Sequence, residues 1–132
     1  MTLEGVHPVL VEKIQRVLDA MDALGFPMFV TQGLRTLKQQ QALYAKGRTA
    51  PGSIVTNADG TKKRSNHQVK DDGYGHAVDC AFRGDDPWAE EHPWAAYGAC
   101  VQAVGLRWGG AWQGSLVDRP HAELPNLPPS KG

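Results

Sequence analysis

The sequence lacks both a net positive charge and a long apolar run, and each of these would indicate a class of binding partner. It carries no net charge, because 14 Lys and Arg residues stand against 14 Asp and Glu residues. This balance disfavours a protein that binds nucleic acid through a basic face. No apolar run approaches the ~20 residues that a membrane-spanning helix needs. We therefore expect neither nucleic acid nor stable membrane association.

Cysteine is also scarce, since the chain has only Cys80 and Cys100. Two cysteines do not make a disulfide framework, and neither lies in a CxxC pair. We expect both to be small core residues of a reduced chain, with a single disulfide as the alternative. The first residues, "MTLEGVHPVLVEKIQ", lack a basic segment followed by an apolar one. No signal peptide is therefore expected, and synthesis in the cytoplasm is predicted.

The length and the apolar patterns indicate a single small domain. A chain of 132 residues corresponds to one domain. We place it at residues 1–124, followed by a Pro-rich tail at 125–132. Apolar residues at helical spacing predict a first helix at 8–24, with Pro8 at its start and Gly25 at its end.

The remaining elements alternate between helix and strand. "FPMFVTQGL" (26–34) predicts a buried strand, and a capping box opens a second helix at 36–47. Residues 48–75 are polar, lack a period and predict a long loop. The later segments predict a strand at 76–82, a helix from Pro93, and two short strands in "LRWGGAW" and "HAEL". This order predicts a small α+β domain with an antiparallel sheet and flanking helices.

One stretch, "SNHQVKDDGYGHAVDC" (65–80), concentrates residues that can carry chemistry. Asp79 lies inside an apolar strand, where a carboxylate is costly to bury unless it is paired or bound to a cation. Together with His67 and His121 it offers two imidazole nitrogens and one carboxylate oxygen. Catalytic zinc sites use such a three-ligand set. Asp118, three residues before His121, would then be free to accept a proton.

Alternatives to a metal site remain at the level of single residues. A lone histidine is more often a satisfied surface or core residue, and Asp79 can be a hydrogen-bonded buried carboxylate. His76 competes with His67 as the first ligand because it is closer to Asp79 in the sequence. Strand neighbours alternate faces, so His76 and Asp79 should point to opposite sides. We therefore favour His67.

The joint pattern resembles a known family. The motifs that carry the resemblance are Ser65-x-His67, Gly75-x-Ala77-x-Asp79, Asp118-x-x-His121, the upstream "TQGLRTLKQQQALYAKGR", and "WGGAW". They are similar to those of the zinc peptidases that include D-alanyl-D-alanine carboxypeptidases and L-alanyl-D-glutamate endopeptidases. The resemblance implies the hedgehog-like fold of these enzymes. One departure is that Asp79 follows His67 by twelve positions, a longer connection than the family usually has.

The resemblance also implies roles for individual residues. His67, Asp79 and His121 would bind one Zn²⁺, which activates water and polarises the scissile carbonyl. Asp118 would be the general base and then the proton donor to the leaving amine. Arg35 would stabilise the developing oxyanion or hold a substrate carboxylate. Supporting roles in orientation or in lining the cleft fall to Gln40, Ser65, Trp108 and Trp112, with core packing as the alternative for both tryptophans.

The implied substrate is the stem peptide of bacterial peptidoglycan. The expected reaction is cleavage of the L-alanyl-D-glutamate bond by a phage-type endolysin, acting as a monomer on the cell wall after release assisted by a holin. The first alternative is a D-alanyl-D-alanine carboxypeptidase of the same fold. The second is a metal-stabilised domain that binds wall peptides without cutting them, and Asp118 beside His121 counts against it.

Overall fold

The protein is an α+β domain whose elements follow the predicted order. The computed structural model describes residues 3–114 and 117–125. Its helices and strands are α1 (Pro8–Ala23), β1 (Met28–Gln32), α2 (Leu37–Ala45), β2 (Ala77–Phe82), α3 (Trp94–Ala103), β3 (Arg107–Trp108) and β4 (His121–Glu123). The proposed tail lies almost wholly outside the described residues, so the domain boundary at residue 124 stays a prediction. No helix in the described ranges is long and apolar enough to cross a membrane.

The four strands form one sheet in the order β1-β2-β4-β3. Every neighbouring pair is antiparallel, which confirms the predicted sheet type. The strand expected in "LRWGGAW" is only two residues long. It ends early because Gly109–Ala111 turn into a short 3₁₀ helix. This turn brings the chain from the edge of the sheet towards the segment that precedes β4.

Helices α1 and α3 cover one face of the sheet and form the core with it. Four residues of the apolar stripe predicted for α1 are fully buried, as are Tyr97 and Val101 of α3. Leu18, also assigned to that stripe, is partly buried, and Leu24 is exposed. Alternation along β2 sends Val78, Cys80 and Phe82 into this core. The side chain of Asp79 therefore points to the opposite face. Buried residues of the α1 stripe are Leu10, Ile14, Val17 and Met21.

Local signals set the ends of the first two helices. Pro8 opens α1, and the Nδ1 atom of His7 accepts a hydrogen bond from the Val9 amide. Gly25 follows the helix with φ of 92°, a left-handed conformation that favours glycine. The capping box predicted at the start of α2 is present, since the side chains of Thr36 and Gln39 each bond the other's amide.

The long segment between α2 and β2 contains no helix or strand, as predicted. The basic triplet at 62–64 is exposed on it, which fits a solvated loop. Both cysteines are free thiols, and Cys80 is buried in the core. The Cys100 sulfur lies 3.7 Å from the Met21 sulfur, so it packs against the core as expected.

The contact between α3 and β3 leads to a prediction about stability. A Cβ atom added at Gly98 would lie 2.3 Å from the ring of Trp108. Helix propensity alone favours Gly98→Ala by ~1 kcal/mol. We expect the clash to dominate and the variant to lose about 1–3 kcal/mol of unfolding free energy in urea denaturation. The exposed Ala99→Gly variant of the same helix is the control, and stabilisation by Gly98→Ala would contradict the packing.

Candidate active site

The candidate site is a row of side chains that crosses three strands. In the sheet register Asp79 of β2 lies opposite His121 of β4 and opposite Gln32 of β1. The pairing of β1 is irregular between Val30 and Gln32. Such a bulge changes the direction in which a strand presents its side chains. The sheet thus brings together residues that are far apart in the sequence.

Three potential ligand atoms converge at this row. The Oδ1 atom of Asp79 lies 3.5 Å from Nε2 of His67 and 3.3 Å from Nδ1 of His121. All three atoms lie within 4.8 Å of one another. Nitrogen and oxygen ligands at the corners of a tetrahedral zinc site are roughly 3.3 Å apart. The separations to Asp79 therefore suit a small divalent ion held by three protein ligands.

Hydrogen bonds on the far side of each ring set the tautomers. The Nδ1 atom of His67 is 2.9 Å from the Gly33 carbonyl oxygen, which can only accept, so Nδ1 carries the proton. The Nε2 atom of His121 likewise donates to the carboxylate of Glu123 at 2.7 Å. In the neutral rings the lone pairs then face Asp79. This is the arrangement that orients histidine ligands in metal sites.

One oxygen of Asp79 lacks a partner, and this indicates that His67, Asp79 and His121 suit a metal ion. Its Oδ1 atom is buried and has no hydrogen-bond partner among the described residues. An unpaired buried carboxylate oxygen is costly. A cation between this oxygen and the two imidazole lone pairs would satisfy all three groups at once. The donor set, two nitrogens and one oxygen, is one that catalytic zinc uses.

The ionisable groups of the site shift one another's pKa values in favour of their charged forms. Burial would raise the pKa of Asp79, but the adjacent His121 and His67 hold it well below its usual range. Burial would lower the pKa of His121, yet Asp79 and Glu123 outweigh it and raise that pKa to about 9. Glu123 stays ionised because His121 and Asn66 outweigh its own burial and lower its pKa. A positive charge on the His121 ring is thus favoured between the two carboxylates.

Asp118 lies at the open side of the site. Its Oδ2 atom is 3.8 Å from Nδ1 of His121, and 47% of its side chain is exposed. Partial burial, followed by the charge of Asp79, raises the pKa of Asp118. Gly109 makes this position possible, because a Cβ atom there would lie 2.2 Å from the Asp118 carbonyl oxygen. The carboxylate can therefore meet both the ligand cluster and solvent.

Arg35 is held rigidly on the other side of Asp79. Its two terminal nitrogens donate to the side-chain oxygens of Gln40 and Gln32, at 2.7 and 2.8 Å. Its Nη2 atom is also 4.0 Å from Oδ2 of Asp79. The Nε atom is buried without a partner among the described residues. Burial lowers the pKa of Arg35, and the charges of Asp79 and Asp118 partly offset that effect.

Gln40 orients Arg35 from the buried face of α2. It is fully buried, and its amide nitrogen donates to the Ala58 carbonyl oxygen at 2.8 Å. That bond fixes which end of the amide faces the guanidinium. The sequence suggested that Gln40 orients either Arg35 or substrate, and the structure places it on Arg35.

The other residues singled out in the sequence occupy different places. The Ser65 hydroxyl accepts from the backbone amide of His67 at 3.1 Å and so shapes the turn before this ligand. Trp112 lies beside the site, with its ring centroid 5.0 Å from that of His121. Trp108 packs against Gly98 and Gly110 instead. Its indole nitrogen donates to the Arg119 carbonyl oxygen at 2.7 Å, so it supports the site from behind.

The extra residues between His67 and Asp79 form a closed loop. Two backbone bonds, Lys70 N–H to Tyr74 O and Gly73 N–H to Lys70 O, close its tip. At its base the His76 amide donates to the Asn66 carbonyl oxygen at 2.8 Å. The His76 side chain bonds Asp72 at 2.7 Å and does not enter the ligand cluster.

Two groups that the sequence did not assign complete the site. Glu123 orients His121 and in turn accepts from the side-chain amide of Asn66 at 2.8 Å. Gln32 holds Arg35. The sequence offered one signal, because His121 and Glu123 alternate on a strand and therefore share a face. It offered none for Gln32, whose position depends on the irregular pairing of β1.

Comparison with known proteins identifies the family. Residues 59–124, which contain all three candidate ligands and Asp118, match the D-alanyl-D-alanine carboxypeptidase family of peptidases. The chain belongs to this family. It is also 31% identical over 130 residues to the peptidoglycan L-alanyl-D-glutamate endopeptidase CwlK of Bacillus subtilis, a match that covers 90% of this chain and 73% of CwlK. The expected peptidase class is confirmed.

Solved structures agree with the fold. The L-Ala D-Glu endopeptidase ChiX of Serratia marcescens superposes with a TM-score of 0.63 at 27% identity, covering 94% of this chain and 84% of ChiX. The vancomycin-resistance D,D-pentapeptidase VanY, whose structure contains Zn(II), gives a TM-score of 0.60 at 18% identity over 90% of this chain and 72% of VanY. The predicted hedgehog-like peptidase fold is thereby confirmed.

The bond between His121 and Glu123 leads to a prediction about metal affinity. Glu123→Gln removes the carboxylate that orients the ring, while the side chain keeps its size. We expect zinc to bind roughly ten- to a hundredfold more weakly, as is typical when such a partner of a ligand is lost. Competition with a chromophoric chelator at fixed pH measures the affinity. Glu91→Gln, on an exposed loop, is the control, and equal affinities of the two variants would contradict the role.

Proposed function

We propose that this protein is a zinc peptidase that cleaves the L-alanyl-D-glutamate bond in the stem peptide of bacterial peptidoglycan. The observation that carries the proposal is the convergence of His67, Asp79 and His121 on one point, with the carboxylate of Asp118 beside it. The choice of bond is supported by the similarity to CwlK and ChiX, both named for this activity.

The metal ligands and Asp118 have different roles in hydrolysis. Zinc, when bound to His67, Asp79 and His121, supplies a Lewis acid that activates water and polarises the scissile carbonyl. Asp118 accepts a proton from the attacking water and then delivers it to the leaving amine. Its raised pKa, caused first by partial burial, makes it a stronger base than an exposed aspartate.

Arg35 acts on the carbonyl oxygen of the scissile bond. Because Gln32 and Gln40 hold its guanidinium in place, little reorganisation is needed as negative charge develops on that oxygen. A fixed cation beside the developing oxyanion lowers the energy of the transition state more than that of the ground state.

The description of the matching family supports a second possible reaction. The matching family is described as D-alanyl-D-alanine carboxypeptidase, so release of terminal D-alanine is the alternative on the same site. A binding domain without catalysis is disfavoured because Asp118 and Arg35 are both placed for chemistry. The products formed from peptidoglycan separate the three possibilities.

Mass spectrometry of digested peptidoglycan tests the proposal. Zinc-loaded protein should produce stem peptides that begin with D-glutamate, and chelation should abolish them. Asp118→Asn should reduce the rate roughly a hundredfold or more while zinc still binds, because only the proton transfer is lost. Asp85→Asn, an exposed acid on another loop, is the matched control. Release of D-alanine would favour the carboxypeptidase, and unchanged peptidoglycan with zinc bound would falsify the enzymatic proposal.

We also propose, on the resemblance alone, that the protein serves as a phage-type endolysin. It would be made in the cytoplasm and reach the wall through a membrane-permeabilising holin. Production in bacterial cells together with a holin should then cause lysis, and production alone should not. Lysis without the holin would contradict this route, and no lysis despite activity on isolated walls would contradict the endolysin role.

A further inference from the structure

A groove that adjoins Asp118 takes no part in the mechanism proposed above. It is a cavity of about 310 Å³ that shares Asp118 with the candidate active site. Among its other lining residues are Trp88, Glu90, Val117 and Arg119. Asp118 thus belongs both to the wall of this groove and to the candidate active site.

The loop that carries Trp88 is anchored on both sides of this residue. The ring of His92 stacks on Phe82 with 4.5 Å between centroids, and it also bonds the Asp86 carbonyl oxygen. The buried indole of Trp94 donates to the Ala89 carbonyl oxygen at 2.9 Å. Trp88 itself remains 51% exposed. The groove therefore presents an exposed indole from a loop whose shape is fixed.

Arg119 is a cation without a partner at the edge of this groove. Its backbone is fixed, since its carbonyl oxygen accepts from the indole of Trp108. Its guanidinium makes no hydrogen bond or ion pair with any residue in the described ranges. Arg35 differs, because both of its terminal nitrogens are already bonded to glutamine side chains. Arg119 is thus the arginine near the site that is free to receive a substrate anion.

The chemistry of the proposed substrate identifies the anion that would lie beside Arg119. Asp118 gives its proton to the leaving amine, so the leaving side of the substrate lies next to Asp118. In the L-alanyl-D-glutamate bond that amine and the α-carboxylate of D-glutamate are attached to the same carbon. When the stem continues through the γ-carboxyl group, this α-carboxylate remains free. Arg119 directly follows Asp118 in the chain and lines the same groove.

We propose that Arg119 recognises the free α-carboxylate of the D-glutamate residue, while Trp88 packs against the apolar part of the stem that follows it. This proposal rests on the function proposed above and adds a preference to it. Stems in which the α-carboxyl group is amidated carry no charge at this point and leave the guanidinium without a partner. The enzyme therefore discriminates in favour of unamidated stems.

Paired synthetic substrates test the discrimination. They are L-Ala-γ-D-Glu-L-Lys and its α-amide, and cleavage is measured as kcat/KM for each with zinc-loaded protein. Wild type should prefer the carboxylate substrate roughly ten- to a hundredfold, the range expected for a charge-assisted pair. Arg119→Gln should lose this preference by slowing the carboxylate substrate while changing the amide substrate less than about twofold. Arg119→Lys should retain part of it.

Two controls separate charge recognition from general damage. Trp88→Ala should slow both substrates alike, because it removes packing and not charge. Arg16→Gln, on the exposed face of α1 where Arg16 pairs with Glu12, should change the cleavage of neither substrate. Added salt should weaken the preference of wild type and leave the Arg119→Gln variant unaffected.

The outcomes distinguish the two proposals from each other. If wild type cleaves neither substrate at the L-alanyl bond, the proposed function fails. If wild type cleaves both and Arg119→Gln keeps the same ratio of kcat/KM values, only the role of Arg119 fails. An equal loss on both substrates in Arg119→Gln would also overturn it, since that result indicates a structural contribution.

Discussion

The buried carboxylate of Asp79 is the constraint on which the rest of the site depends. A charge placed in the middle of a sheet loses its hydration, at a cost of several kcal/mol unless other groups replace the water. The two oxygens of Asp79 differ in the groups that replace this water. One oxygen is near the guanidinium of Arg35, and the other has only the two imidazole rings and no hydrogen bond within the described ranges. A cation held between that oxygen and the two rings would supply the partner that the oxygen lacks.

The supports behind the ligands come from separate parts of the chain. A backbone carbonyl at Gly33 fixes His67, and the carboxylate of Glu123 fixes His121. The Arg35 amide also donates to the His67 carbonyl oxygen at 2.7 Å, so the arginine and the first ligand are tied through the backbone. Movement of any one of these segments would disturb both the proposed metal ligands and Arg35, the residue proposed to stabilise the oxyanion. Metal binding and catalysis are thus expected to respond together to changes in this region.

Much of this arrangement was accessible from the sequence, and the exceptions have physical reasons. The helix ends followed from Pro8, Gly25 and the capping box, which are local signals. The convergence of His67, Asp79 and His121 was predicted because a carboxylate in an apolar strand needs a partner and because the motifs resemble those of a family. The contact of Gln32 was not predicted, since it requires the register between strands and the irregularity in β1. Glu123 was left unassigned, although its position two residues after His121 puts both side chains on the same face. Strand β3 was predicted too long because the glycines of "WGGAW" serve close packing and not an extended strand.

The closed loop between the first two ligands has a consequence for how this chain can change. Its tip lies on the surface, at residues 71–74, and its base is joined by the bond from His76 to Asn66. The distance between His67 and Asp79 is set by that base and by the sheet, whereas the number of residues between them is set only by the tip. Lengthening an exposed loop costs little free energy when its ends stay in place. The tip is accordingly a position where a foreign peptide, such as an epitope or a wall-binding segment, can be inserted while both ligands keep their positions.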